Sequence, residues 1–142
     1  MVLYARDIVE KDFLALPAEA TVLQGARAMK SSNHGFAVVG PKERPQGIVT
    51  EWDILSQVVA EGRDPNVVTL GEIMSQSLVF VEGSAWLSAV AQIMTQKGVR
   101  RLIVEEKGVV TGVITAKEML ARMNEYVDKI SSQISRLQAP WY

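Results

Sequence analysis

Residues 47–55 read GIVTEWDIL, and residues 112–120 read GVITAKEML. Each runs glycine, two β-branched residues, threonine, two variable positions, a carboxylate and an apolar pair. The spacing between the two copies, 65 residues, extends well beyond them. Residues 6–57 lie over 71–122 without a gap, and nine of the 52 columns are identical: Ile8/Ile73, Ala20/Ala85, Ala26/Ala91, Met29/Met94, Val39/Val104, Lys42/Lys107, Gly47/Gly112, Thr50/Thr115 and Leu55/Leu120. Composition alone gives roughly three. A period this long, present twice, indicates a duplicated domain and not a solenoid.

Each copy carries the same pattern. A short apolar run (13–16; 78–81) predicts a strand, and PAEA or EGSA a turn. Val22, Ala26 and Met29, mirrored by Leu87, Ala91 and Met94, have helical spacing. Second strands follow at 36–39 and 101–105, and third strands at 47–50 and 111–115 run into helices that begin at the threonine. The unit is β-α-β-β-α, and the fold class is α+β. EGRDPN at 61–66 supplies a helix stop and a connector. The expected division is a first domain over 1–66, a second over 67–122 and a helical extension over 123–142. A half of about 55–60 residues is marginal alone, so the two repeats are expected to pack sheet to sheet about a pseudo-twofold axis, with an equivalent groove on either side.

The bulk composition excludes much. Fifteen basic against sixteen acidic residues give a net charge of −1, without the basic stripe that nucleic-acid binding needs. No apolar run approaches the roughly 18–20 residues of a membrane span, and the charged N-terminus MVLYARDIVEKDF is unlike a signal peptide. A cytoplasmic protein is expected, with no membrane and no nucleic-acid partner. The absence of cysteine removes thiolate metal sites and thiol nucleophiles, and one histidine, His34, leaves little for a metal cluster or a serine–histidine relay. Neither a catalytic nor a metal site can be assembled from the motifs, so no enzyme is expected.

Two roles suit Thr-x-x-Asp/Glu at a strand-to-helix junction. One is a capping box, in which threonine accepts a backbone N–H and the carboxylate reaches back to the threonine N–H. This alone accounts for Thr115 and Glu118. The other is a ligand site, because a short carboxylate there can accept two hydroxyl protons from a ribose. Asp53 suits the second role better than Glu118.

With GIVTEWD, GVITAKE, the connector VVAEGRDPNVVTLGEIM and GVRRLIV at 98–104, the chain resembles a pair of cystathionine-β-synthase (CBS) domains, the Bateman module, over about residues 4–125. The resemblance implies a regulatory module that binds AMP, ADP or ATP in clefts between the repeats. It puts the ribose hydroxyls on Asp53, ribose or phosphate on Thr50 and Thr115, and phosphate on Arg100 and Arg101. Adenine would be lined by the opposite repeat, so Asp53 would be partnered by Phe80, Ala85 and Val99. The mirror cleft would use Ala15, Ala20 and His34 against Thr115 and Glu118. Gly35 and Phe36 stand where the second repeat has its arginine pair, and Glu118 replaces aspartate, so one good site per chain is expected. S-adenosylmethionine, which keeps the adenosine without phosphate, is a related ligand. A ligand-free structural module is the alternative class.

Beyond Met119, the residues Leu120, Met123, Val127, Ile130, Ile134, Leu137 and Trp141 alternate at spacings of three and four, a seam of about three heptads with Trp141 just past the helix end. The seam and the resemblance both predict a homodimer. With no effector domain on this chain, an output would pass to a separate partner protein.

Overall fold

The computed structural model describes residues 3–136. In chain order they form α1 (Ala5–Ile8), β1 (Ala15–Leu16), α2 (Val22–Ser32), β2 (Phe36–Val39), β3 (Gly47–Thr50), α3 (Glu51–Ile54), α4 (Leu70–Ile73), β4 (Phe80–Glu82), α5 (Leu87–Lys97), β5 (Arg101–Glu106), β6 (Val109–Thr115) and α6 (Ala116–Arg136). After α3 the helix widens over Leu55–Val59, where the Ala60 N–H reaches back five residues to the Leu55 carbonyl. Seam positions Leu137 and Trp141 lie outside the described residues.

The strands make two three-stranded sheets, β1-β2-β3 and β4-β5-β6, with the first strand parallel and the third antiparallel to the middle one in each. The first strands are shorter than the apolar runs 13–16 and 78–81 suggest, and Phe13, ahead of β1, turns into the space between the sheets. There Phe13, Phe36, Val38 and Val113 form a shared core with Ala15 and Ile48 packed against it. The sheets therefore meet face to face, as the pattern predicts. The turn chemistry repeats too: Asn33 and Gly98, 65 residues apart, close α2 and α5 in the left-handed conformation, which these two residue types adopt most readily.

Each half lends its opening segment to the other. Helix α1 buries Ala5 and Ile8 among Val81, Leu87, Val90, Leu102 and Ile114 of the second half. Helix α4 buries Leu70 and Ile73 among Val22, Val39, Val49 and Val58 of the first. The backbone bonds come in twins: Ala5 N to Ala85 O (2.8 Å) matches Leu70 N to Ala20 O (2.9 Å), and Val113 N to Glu10 O (3.0 Å) matches Ile48 N to Ser75 O (2.9 Å). This exchange explains the motif glycine. A Cβ on Gly47 would stand 2.7 Å from the Ser75 carbonyl oxygen, and one on Gly112 would collide with that of Glu10. Only a residue without a side chain lets the neighbouring strand pass.

Candidate functional site

The strand-to-helix turn at Thr50 is held by side chains. The Thr50 hydroxyl oxygen accepts from the Asp53 N–H (3.3 Å), while Asp53 Oδ2 accepts from the Thr50 N–H (2.8 Å) and from the Thr50 hydroxyl (3.0 Å). The capping box is complete, and it occupies one carboxylate oxygen. Among the described residues Oδ1 has no hydrogen-bond partner. In the second copy only half the device forms: the Glu118 N–H donates to the Thr115 hydroxyl at 3.1 Å, and the exposed Glu118 carboxylate does not return to the Thr115 N–H. The capping account was expected to suffice for this copy, yet this is the copy in which it stays open. The longer glutamate side chain turns to solvent.

Thr50 and Asp53 border a cleft of about 570 Å³, with Val99, Arg100 and Arg101 of the second half on its far side. These five border one cleft. Phe80 and Ala85 do not join them. In β4 the side chains alternate, so burial of Val81 in the core turns Phe80 outward, where it is 42% exposed. Ala85 packs on the second core, and its carbonyl receives α1. Other parts of the wall come from Ser75, Ser77, Leu78 and Val79, together with Ile48, Gly98 and Ile103, and Trp52 at the rim is 68% exposed. Ser75 and its neighbours arrive there through the segment exchange, which no local pattern in the sequence announces.

The mirror cleft, about 810 Å³, brings together His34, Thr115 and Glu118 with Glu10, Phe36, Glu51, Lys30, Lys117 and Arg101. Ala15 and Ala20 lie elsewhere. Ala15 packs on the inter-sheet core, and Ala20 packs on the first core while its carbonyl receives α4. Ala20 and Ala85 are thus equivalent positions, each accepting the helix that the other half lends.

The charges are unequal. Arg100 is exposed and belongs to the Asp53 cleft alone, whereas Arg101 borders both clefts. The Arg101 guanidinium carbon lies 4.9 Å from the centre of the Phe36 ring, a cation–π distance. Its Nε is buried and has no hydrogen-bond partner among the described residues. Burial lowers its pKa, with Arg100 acting in the same direction and Glu51 and Asp53 opposing. Arginine stays cationic regardless, so the site holds a permanent positive charge with an unsatisfied donor. Such a charge calls for an anion.

Comparison with known proteins agrees with the fold. The family model described as the CBS domain matches twice, at residues 5–60 and 70–125. An uncharacterized protein of Methanopyrus kandleri is 30% identical over 134 residues, covering 93% of this chain and 68% of that protein. The crystal structure of a hexameric CBS-CP12 protein from bloom-forming cyanobacteria superposes with a TM-score of 0.76 at 31% identity, over 84% of this chain and 67% of that one. The CBS domain pair of protein MJ0100, solved with 5-methylthioadenosine and S-adenosyl-L-methionine, shares the fold with a TM-score of 0.76 at 18% identity, over 89% of this chain and 99% of that one.

Proposed function

The chain belongs to the CBS-domain family, whose paired domains are regulatory ligand-binding modules, and we propose that this pair senses an adenine nucleotide, AMP, ADP or ATP, in the Asp53 cleft. The observation that carries the reading is the convergence of Thr50 and Asp53 from one half with Arg100 and Arg101 from the other around one cleft. Its volume, about 570 Å³, falls within the roughly 300–1,000 Å³ of small-ligand pockets. In this arrangement Asp53 keeps Oδ2 on its helix cap and offers Oδ1 to a ribose hydroxyl. Val79, Leu78 and Val99 give the base an apolar bed, Trp52 covers it from the rim, and the arginine pair takes the phosphate.

A second copy of this chain is the proposed means of transmission. Leu120, Met123, Val127, Ile130 and Ile134 of α6 are 64, 45, 57, 37 and 54% exposed, while Met119 alone in that helix is buried. An apolar seam of this length costs solubility unless it is covered, and a like helix in a second chain covers it by the same spacing. Ligand would then bias the arrangement of the two copies by binding one more tightly than the other, and a separate effector protein in the same compartment, the cytoplasm in this reading, would respond.

Titration calorimetry with AMP, ADP, ATP and S-adenosylmethionine is the test. A nucleotide that binds only the folded chain raises its melting temperature. Replacing Arg100 and Arg101 by alanine should weaken AMP strongly and leave S-adenosylmethionine nearly unchanged. The reverse ranking would assign the cleft to the phosphate-free ligand. Silence with all four would leave a purely structural module.

A further inference from the structure

We propose that Arg101 is one cation serving both clefts, so that a phosphate-bearing ligand in either cleft withdraws it from the other. The inference rests on the nucleotide reading above and adds the relation between the two sites. Repeat two has arginine at 100 and 101, where repeat one has Gly35 and Phe36. The mirror cleft therefore has no strand-borne cation of its own, and the structure supplies one from the opposite repeat. Arg101 starts on β5, opposite Thr115 of β6, yet its guanidinium lies on the Phe36 ring, a wall of the mirror cleft.

Gly35 lies beside it. A Cβ at that position would be in ordinary contact with Arg101 Nη2, at 3.8 Å, and would press on Glu51 Oε1, at 2.5 Å, so the glycine makes room for the Glu51 carboxylate next to the guanidinium. The other basic residues there, Lys30 and Lys117, are exposed. They are flexible point charges without the planar fork that grips a phosphate. Three carboxylates, Glu10, Glu51 and Glu118, border the same cleft, so the guanidinium decides whether an anion is tolerated. A single fork, with its Nε still unpartnered, can close on one phosphate at a time. Occupying the Asp53 cleft then leaves the mirror cleft acidic, and the two sites bind anions with negative coupling.

Calorimetry on the full chain at low salt tests this with AMP and with adenosine, which lacks the phosphate. AMP should fill one cleft and then bind the second at least about fivefold more weakly, the lower end of ordinary coupling. Unequal but independent clefts would also give two steps, so a variant separates the cases. Asp53→Asn, which keeps an acceptor for the Thr50 cap, weakens the first cleft and frees Arg101. Under sharing, AMP affinity at the mirror cleft rises about fivefold or more, and under independence it stays where it was. Arg101→Gln should abolish that gain, Arg100→Ala should preserve it, and adenosine should show none. An unchanged mirror cleft in Asp53→Asn, or the same gain in the Arg101→Gln background, overturns the sharing while leaving nucleotide binding intact. Absence of any binding by AMP and adenosine instead rejects the nucleotide reading, and the sharing falls with it.

Discussion

Asp53 Oδ2 holds the start of α3 by accepting both the N–H and the hydroxyl of Thr50, at 2.8 and 3.0 Å, and its second oxygen has no hydrogen-bond partner among the described residues. One carboxylate can therefore serve folding and ligand at once. The two roles separate by substitution. Asp53→Ala should cost on the order of 1.5–3 kcal/mol in AMP binding, the scale of hydrogen bonds to a charged group. It should also cost about 0.5–2 kcal/mol in stability, the scale of a lost cap. Asp53→Asn should lose most of the binding and little of the stability. Glu118→Ala, which keeps the backbone N–H that bonds Thr115 and loses only an exposed carboxylate, should change stability by no more than about 0.5 kcal/mol. Calorimetry and urea unfolding read the two quantities independently, and equal AMP affinity in Asp53→Ala and the parent removes Asp53 from the site.

The glycine of the repeated phrase makes a sharper demand than its threonine. A methyl group on Gly47 would meet Met74 Sδ and the Ser75 carbonyl oxygen at 2.7 Å each, and one of those atoms is backbone held by the pairing of Ile48 with Ser75. Gly47→Ala should destabilise the chain by roughly 1–3 kcal/mol, as overpacking does. Gly112→Ala, against Glu10 and Val9, should do the same. Denaturant melts with the slope unchanged from the parent would locate the effect in the folded state. A pair of neutral substitutions would show that the exchanged segments are free to move away.

The halves, their strand order and the threonine at each helix start are legible in the sequence because a duplication writes each signal twice. Periodicity reports only local faces, however, and the cleft is built from pieces that come together across the pseudo-twofold. Val99, Arg100 and Arg101 are placed by the family resemblance, and they lead into β5, whose first residue pairs with Thr115 of the second sheet. Phe80 and Ala85 were misplaced with respect to the cleft for two different reasons. Phe80 sits one residue out of phase with the buried Val81, and Ala85 packs on the second core while its carbonyl receives α1. Ser75 and Ser77 were invisible since small polar residues in a connector carry no pattern. The twin of Ser75, Glu10, gives the usable signal: in a duplicated fold, whatever segment precedes the first strand of one half must be tested as a wall of the other.

The exposed seam of α6 predicts an assembly that surface charge can break. Leu120 and Val127 are 64% and 57% exposed, so replacing both by glutamate removes no core contact. Sedimentation should show the parent as a dimer and Leu120→Glu/Val127→Glu as a monomer, with unfolding free energy at low protein concentration changed by only about 0.5 kcal/mol per site. A parent that sediments as a monomer across the micromolar range sinks the self-association reading.

Acid should loosen the exchange of segments through Glu72. Its Oε2 accepts from the Thr69 N–H at 2.6 Å and from the Thr69 hydroxyl at 3.2 Å, fixing the start of α4, the helix lent to the first half. Those bonds favour the carboxylate, with the Thr69 backbone bond the largest cause, so the folded pKa lies below the usual glutamate value of 4.5. The sign follows: a lowered folded pKa gives stability that is complete above the unfolded value and is lost as pH falls through the folded one. Glu72→Gln, which cannot ionise, should therefore be less stable than the parent at neutral pH, and the gap should narrow as pH drops below 4.5. Urea midpoints of the two proteins across the acid range measure that gap, and a gap that holds constant into strong acid would mean that Glu72 acts through packing and not through its charge.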